Sequence, residues 1–344
     1  MSLPTPPLLK PACLQPGDTL AVVSPSFGAA GLFPHRLELG LRQAEEMGFK
    51  VKVMPNARGA MGAVSGTPQQ RADDLHAAFL DPQVKAIIAA IGGNHSNHLL
   101  PLLDFDLIRA HPKIFMGYSD ITVLNVAIHR RTGLVTFNGP AFITDFAEYT
   151  AMFDYARDSF QRTLCAAQTP GQIQPAAEWT DEFLDWAEKK DLQRARRMYP
   201  SPGWTWLQPG AAEGWLVGGC IESLEHLRGT AFWPDFEGAL LYLETSEEKP
   251  TPAQVDSMLM DYENMGVFDR IAGLLVGRPM LYTDEEKQQL REVILERTRA
   301  YRFPIITDMD FGHTAPLFIL PNGCRARIDS QARRFEILEA AVSA

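Results

Sequence analysis

Residues 113–124 read "KIFMGYSDITVL". The apolar run from Lys113 to Gly117 predicts a buried strand, and the stretch from Ile121 onward predicts a helix. Tyr118, Ser119 and Asp120 therefore occupy the turn between them. Two roles compete for that serine. Ser and Asp are preferred N-cap residues, and either side chain can accept a hydrogen bond from the first helical turn. A serine in a strand-to-helix turn also has the geometry of a nucleophile elbow, its hydroxyl raised above the sheet edge near the positive end of the helix dipole. The N–H of Asp120 is then placed to stabilise an oxyanion. The GxSxG pattern usual at such elbows is absent.

A second stretch, "IIAAIGGNHSN", sets Gly92 and Gly93 directly after a predicted strand, at the same carboxyl edge of the sheet. Ligands bind at that edge in open α/β folds. Glycine lets backbone N–H groups approach a substrate closely, although a tight turn that needs positive φ explains the pair equally well.

A nucleophilic serine needs a base, and the chain holds eight histidines. His95 and His98 form "HSNH", but no third acidic or sulfur ligand lies nearby and HExxH is missing, so no metal site is expected. His129 falls in the last turn of a helix, where exposure and a dipole contact account for it. His313, in "DMDFGHTAP", follows a strand and sits in a loop of small residues. Glu244 ends the apolar strand of "LLYLETSEEKPTP", where a half-buried carboxylate can orient an imidazole. Glu247 and Glu248, just beyond it, read as solvated.

The elements that must position these residues follow from apolar patterning. Over residues 19–139, apolar runs alternate with helical patterns, which predicts βαβ units and a parallel sheet covered on both faces. Residues 166–210 are rich in Pro, Gly, Trp and charge and lack steady periodicity. They read as an interdomain connection with one short helix. Four of the six tryptophans lie there, Trp179, Trp186, Trp204 and Trp206. They serve either to anchor a long loop or to form a binding wall. Residues 211–344 resume strand and helix patterns, and Asn322–Gly323 predicts the turn of a terminal hairpin. The expected division is 1–165, 166–210 and 211–344.

With 344 residues, 46% of them hydrophobic, the chain has material for about two cores. A net charge of -10 without a basic block argues against nucleic acid and anionic membrane surfaces. Four scattered cysteines without a CxxC pair suit a reducing compartment. The segment "MSLPTPPLLKPACLQPGD" has no apolar signal core, and its first three residues read as a cloning remnant. No run is long enough to span a bilayer, so a cytoplasmic, soluble protein is expected. No GxGxxG follows a predicted strand, which disfavours a nicotinamide-linked dehydrogenase.

The stretches "VVSPS", "GTPQQRADDLHAAFLDPQVKAIIAAIGG", "GYSD", "GWLVGG", "LYLETSEE" and "DFGHT", in that order, resemble the LD-carboxypeptidase family of serine peptidases across nearly the whole chain. The resemblance implies an N-terminal doubly wound parallel-sheet domain of Rossmann or flavodoxin type and a smaller C-terminal α/β domain of swivelling type. It implies a Ser119–Glu244–His313 triad, with an oxyanion hole from Asp120 N–H and the Gly92–Gly93 turn. It implies no cofactor or metal. One branch of the family trims D-alanine from murein tetrapeptides. The other, the microcin C immunity branch, cleaves the amide joining a peptide or aspartate to a nucleotide-like group. "EWTDEFLDWAEKK" resembles the second branch, which gives Trp186 the role of stacking on a base and Lys249 a contact with the acidic part of the substrate. The expected partners are a small peptide or aminoacyl nucleotide and a second copy in a homodimer. Cys220, in "GGCIESL", departs from the family's usual asparagine. A thiol is a poor hydrogen-bonding partner, and one lost buried contact costs about 1–3 kcal/mol. A two-domain binding protein without catalysis is the alternative from another class.

Overall fold

The computed structural model describes residues 6–344, so the reading of Met1–Leu3 lies outside the described residues. The first half winds through strands β1 (Thr19–Val23), β2 (Lys50–Val53), β3 (Val84–Ala89), β4 (Ile114–Met116) and β5 (Phe137–Asn138). They are parallel neighbours in the order β2-β1-β3-β4-β5. β1, β3 and β4 are almost wholly apolar and buried, as a sheet covered on both faces demands. The helices of this half are α1 (Ala29–Leu32), α2 (Pro34–Glu46), α3 (Pro68–Leu80), α4 (Phe105–Ala110), α5 (Ile121–Thr132) and α6 (Asp154–Leu164). α3 starts where its sequence says it should: Thr67 and Gln70 form a reciprocal capping box, with Pro68 in the first turn.

In the second half, β6 (Gly171–Ile173), β7 (Glu178–Trp179), β8 (Tyr199–Pro200) and β9 (Thr205–Gln208) precede the long β10 (Ala211–Cys220) and the short helix α7 (Ile221–Leu224). β11 (Ala239–Glu244), α8 (Pro252–Asn264), β12 (Gly273–Gly277), α9 (Asp284–Thr298) and β13 (Ile305–Met309) follow. The chain ends with β14 (Leu320–Pro321), β15 (Arg325–Asp329) and β16 (Arg334–Ile337). The second sheet runs β6-β16-β15-β10-β11-β12-β13-β9, with β10 to β13 parallel and the flanking pairings antiparallel. It is wider than the first sheet, although residues 211–344 are fewer.

Three expectations need correction. Residues 166–210 contribute β6 and β9 to opposite edges of the second sheet, so the segment is built into it. Asn322–Gly323 does not close a hairpin. β14 pairs antiparallel with β5 of the first sheet, whereas β15 pairs with β10 and β16 of the second, so the turn carries the chain between sheets. Asn322 is buried there. Its amide donates to Thr136 Oγ1 at 3.1 Å and its carbonyl accepts from the Tyr242 hydroxyl at 2.7 Å, so it bridges both halves. His129 is buried because α5 lies between the two halves. Its Nδ1 bonds the Leu134 carbonyl at 2.9 Å and its ring meets Trp215 at 6.1 Å.

The two halves also meet behind the elbow. Gly219 has φ +143°, and a Cβ built on it would sit 2.3 Å from Thr122 Oγ1. The Cys220 N–H donates to that same hydroxyl at 3.1 Å. A glycine at this point lets β10 close onto the first turn of α5, immediately after Ser119.

Candidate active site

Ser119 sits between β4 and α5 with φ +61°, in the left-handed region that a non-glycine residue rarely adopts. Such strain typically costs about 1–3 kcal/mol and persists where surrounding structure over-determines it. Here that structure is visible. Gly117 packs so tightly against Ala89 and Ile121 that an added Cβ would lie 3.0 Å from each, and the Asn125 amide donates to the Gly117 and Phe137 carbonyls at 2.9 and 3.2 Å. Asp120 takes the N-cap position, but its side chain caps nothing in α5. Its Oδ2 instead accepts the backbone N–H groups of His95 and Ser96 at 2.9 Å each.

Those bonds fix the loop after β3. Gly92 faces the serine directly: a Cβ there would stand 2.6 Å from Ser119 Oγ and 3.1 Å from the Asp120 nitrogen. Gly93 has φ +135°, and its own Cβ would strike Ser26 Oγ at 2.5 Å. The loop lies at the β1/β3 boundary, where the strand order of the first sheet reverses, the usual ligand crevice of such sheets.

His313 and Glu244 reach the same place from the second half. Glu244 ends β11 and is fully buried, and room for it depends on two glycines. A Cβ on Gly277 or Gly312 would approach Glu244 Cβ to 2.8 Å. His313 Nδ1–H donates to Glu244 Oε2 at 2.7 Å. Glu244 Oε1 is buried with no partner among the described residues. Burial pushes the Glu244 carboxyl up, and His313 opposes that. Burial alone would lower the His313 pKa, but Glu244, joined by Glu247, outweighs it and holds the ring well above the usual histidine value. The imidazole edge also meets the Tyr118 ring, with centroids 5.1 Å apart.

Glu247 is the surprise of the site. Read from sequence as solvated, it keeps 59% side-chain exposure, yet its Oε2 lies 2.9 Å from His313 Nε2. That approach is an ion pair rather than an aligned hydrogen bond, and Nε2 is buried without one.

A cleft of about 550 Å³ joins these groups, within the range of small-molecule sites. Gly92, Gly93, Ser119 and His313 line one part of it and Trp186 another. Arg36 places its guanidinium 4.7 Å from the Trp186 ring centroid, Phe33 meets that ring edge-on at 5.6 Å, and Phe183 flanks it at 5.6 Å. The other three tryptophans hold the segment in place. Trp204 is buried and donates to Asp310 Oδ2 at 2.7 Å, Trp206 pairs with Ile306 across β9 and β13, and Trp179 packs under Arg278 at 4.8 Å. The segment is also tied to the histidine loop, because Thr180 and Ala315 exchange backbone hydrogen bonds at 2.7 and 2.9 Å.

Two residues expected at the substrate are not part of this lining. Lys249 pairs with Glu286 at 2.9 Å, outside the cleft. Cys220 is buried, and its thiol donates to Glu222 Oε2 at 3.3 Å. Sequence reasoning passed over Arg36, Phe33, Phe183, Arg196 and Glu148, which do line the cleft. Only Phe183 and Arg196 fall in the aromatic-rich segment, and nothing in the sequence pattern signalled the other three. Among the described residues, no three His, Cys, Asp or Glu side chains are grouped so as to hold a metal ion, and no helix is long and apolar enough to cross a membrane.

The chain is similar to known proteins over nearly its full length. Residues 20–139 match the LD-carboxypeptidase N-terminal domain, and residues 213–328 match the LD-carboxypeptidase C-terminal domain. A putative carboxypeptidase of Bacillus subtilis, YocD, is 35% identical over 92% of this chain and 95% of its own. The microcin C7 self-immunity protein MccF of Escherichia coli is 32% identical over 98% of each. The solved structure of that immunity protein in complex with aspartyl sulfamoyl adenosine superposes with a TM-score of 0.91 at 31% identity, covering 97% of this chain and all of the other. Two consecutive domain matches and full-length similarity leave one conclusion: the chain belongs to the LD-carboxypeptidase family of serine peptidases.

Proposed function

We propose that this enzyme hydrolyses the amide that joins an aminoacyl or peptidyl group to a nucleotide-like moiety. Ser119 Oγ attacks the carbonyl carbon as its proton passes to His313 Nε2, and Glu244 orients the imidazole through Nδ1. The carbonyl oxygen takes up negative charge facing the N–H groups of Asp120 and the Gly92–Gly93 turn. The C–N bond then breaks, His313 returns the proton to the leaving nitrogen, and water releases the acyl group by the same route. Four unpaired cysteines favour a cytoplasmic setting, and the reading includes a homodimer, which light scattering checks.

The observation that carries the substrate assignment is that Trp186 lines the cleft that Ser119 and His313 line. An indole flanked by Phe33, Phe183 and the Arg36 guanidinium forms a platform for a flat base, and base stacking on an aromatic is typically worth about 1–3 kcal/mol. The test compares two substrates. Trp186→Ala should weaken kcat/KM for aspartyl sulfamoyl adenosine by roughly 5- to 150-fold and leave a murein tetrapeptide nearly unaffected. Equal effects on both would make Trp186 a packing residue and favour cell-wall peptide trimming, the activity named for a B. subtilis relative 33% identical to this chain, a probable murein peptide carboxypeptidase.

A further inference from the structure

Glu247 has no part in the mechanism above, yet its carboxylate reaches the nitrogen that must receive the serine proton. The two nitrogens of His313 face two different carboxylates: Nδ1 lies 2.7 Å from buried Glu244, and Nε2 lies 2.9 Å from Glu247. The environments differ sharply, since the side chain of Glu244 is inaccessible and that of Glu247 is 59% exposed. One carboxylate is fixed, and the other can rotate into solvent.

The loop that carries Glu247 is held on both sides. Glu222 Oε1 accepts the Ser246 N–H at 3.0 Å and its hydroxyl at 2.6 Å. The Asn94 amide, directly after Gly93, donates to Glu248 Oε1 at 3.1 Å. Lys249 adopts φ +55° and pairs with Glu286. The backbone of Glu247 is thereby set while its side chain remains free to leave. The imidazole also meets the ring of Tyr118, whose hydroxyl burial keeps protonated, Ser119 lines the same cleft, and Glu222 stands behind Glu244.

Resting on the assignment of Ser119 as nucleophile and His313 as base, we propose that Glu247 is a latch on the base. Its carboxylate holds Nε2 of His313 before substrate enters and must release it before Ser119 can transfer a proton. Glu247 is thus a positioning residue that sets the pH at which the base becomes available. An ionised carboxylate favours the imidazolium, so it should move the acid limb of reactivity to higher pH. Removing its charge should move that limb down.

The test measures the rate of Ser119 labelling by a fluorophosphonate from pH 5 to 10 in wild type, Glu247→Gln and Glu247→Asp. The latch predicts that Glu247→Gln lowers the acid limb by about half a pH unit, the effect of an ion pair with one exposed partner, and raises the rate below the limb about threefold. Glu247→Asp should restore much of the wild-type limb. An unmoved limb overturns the proposal, and so does an equal loss of rate at every pH, which would make Glu247 a productive partner of the imidazolium. Failure of wild type to label Ser119 at any pH would instead defeat the underlying triad assignment. The latch is then decided separately by NMR titration of His313 in Ser119→Ala, with and without Glu247→Gln, where a lower imidazole pKa in the double variant supports it and an unchanged one refutes it.

Discussion

The carboxylate of Asp120, one residue after Ser119, accepts the backbone N–H of His95 at 2.9 Å and so ties the serine turn to the glycine loop opposite it. A second bond, from Ser96 N–H, is equally short. The elbow and the loop therefore move as one body. Asp120→Ala should leave the fold in place but release the loop. Charge-assisted hydrogen bonds contribute about 1.5–3 kcal/mol each, so we expect a clear fall in Tm together with slower fluorophosphonate labelling of Ser119. A fall in Tm with unchanged labelling would show that the tie serves stability alone.

Gly92 offers a sharper probe. A methyl group there would overlap Ser119 Oγ at 2.6 Å and crowd the Asp120 nitrogen at 3.1 Å, both in the space assigned to the reacting carbonyl oxygen. Loss of one oxyanion donor typically costs about 10²–10³ in kcat, and Gly92→Ala should fall in or beyond that range. Circular dichroism should report an intact fold. Retention of more than about a tenth of wild-type kcat, well above that range, would move the oxyanion site elsewhere.

The pKa of His313 couples stability to reactivity. The folded value is raised by Glu244 and Glu247 above the roughly 6.5 of an unfolded chain. Stability from the imidazolium pair is therefore fully present below about pH 6.5 and is lost as pH rises through the higher folded value. In the proposed mechanism, deprotonation over that same range supplies the neutral base. Labelling of Ser119 should increase across the interval in which Tm decreases, and His313→Asn should flatten both trends. A labelling limb below pH 6.5 would contradict the charge arrangement.

Much of this site could be read from residue order, and the exceptions share a cause. Gly92–Gly93 and Ser119 were legible because each follows an apolar strand, and a parallel sheet delivers all such strand ends to one edge. In the second half, Glu244 ends one strand and His313 follows another, for the same reason. Glu247 was not legible, because a glutamate in a polar run looks solvated whether or not a distant histidine turns toward it. Asn322–Gly323 shows the same limit: the pair specifies a local turn but not which sheets its flanking strands join. The tryptophans of 166–210 were indistinguishable by composition. Their partners separate them: Asp310, which accepts from the Trp204 indole and the Ala176 N–H, marks Trp204 as an anchor, whereas Trp186 lines the cleft.

Cys220 and Thr122 set the spacing between the halves through the 3.1 Å bond beneath Gly219. Thr122→Val removes that acceptor and nearly preserves volume. It should lower Tm by the equivalent of about 1 kcal/mol and slow turnover by misplacing His313 relative to Ser119, with little change in KM. A change in KM alone would assign the contact to substrate binding.

Ser119, with His313 and Glu244, is proposed to cleave an aminoacyl–nucleotide amide. Mass spectrometry of aspartyl sulfamoyl adenosine incubated with wild type and with Ser119→Ala tests it most directly. The expected result is release of aspartate and sulfamoyl adenosine by wild type and none above background by Ser119→Ala. Equal release by both proteins, or an intact substrate with wild type, would contradict it.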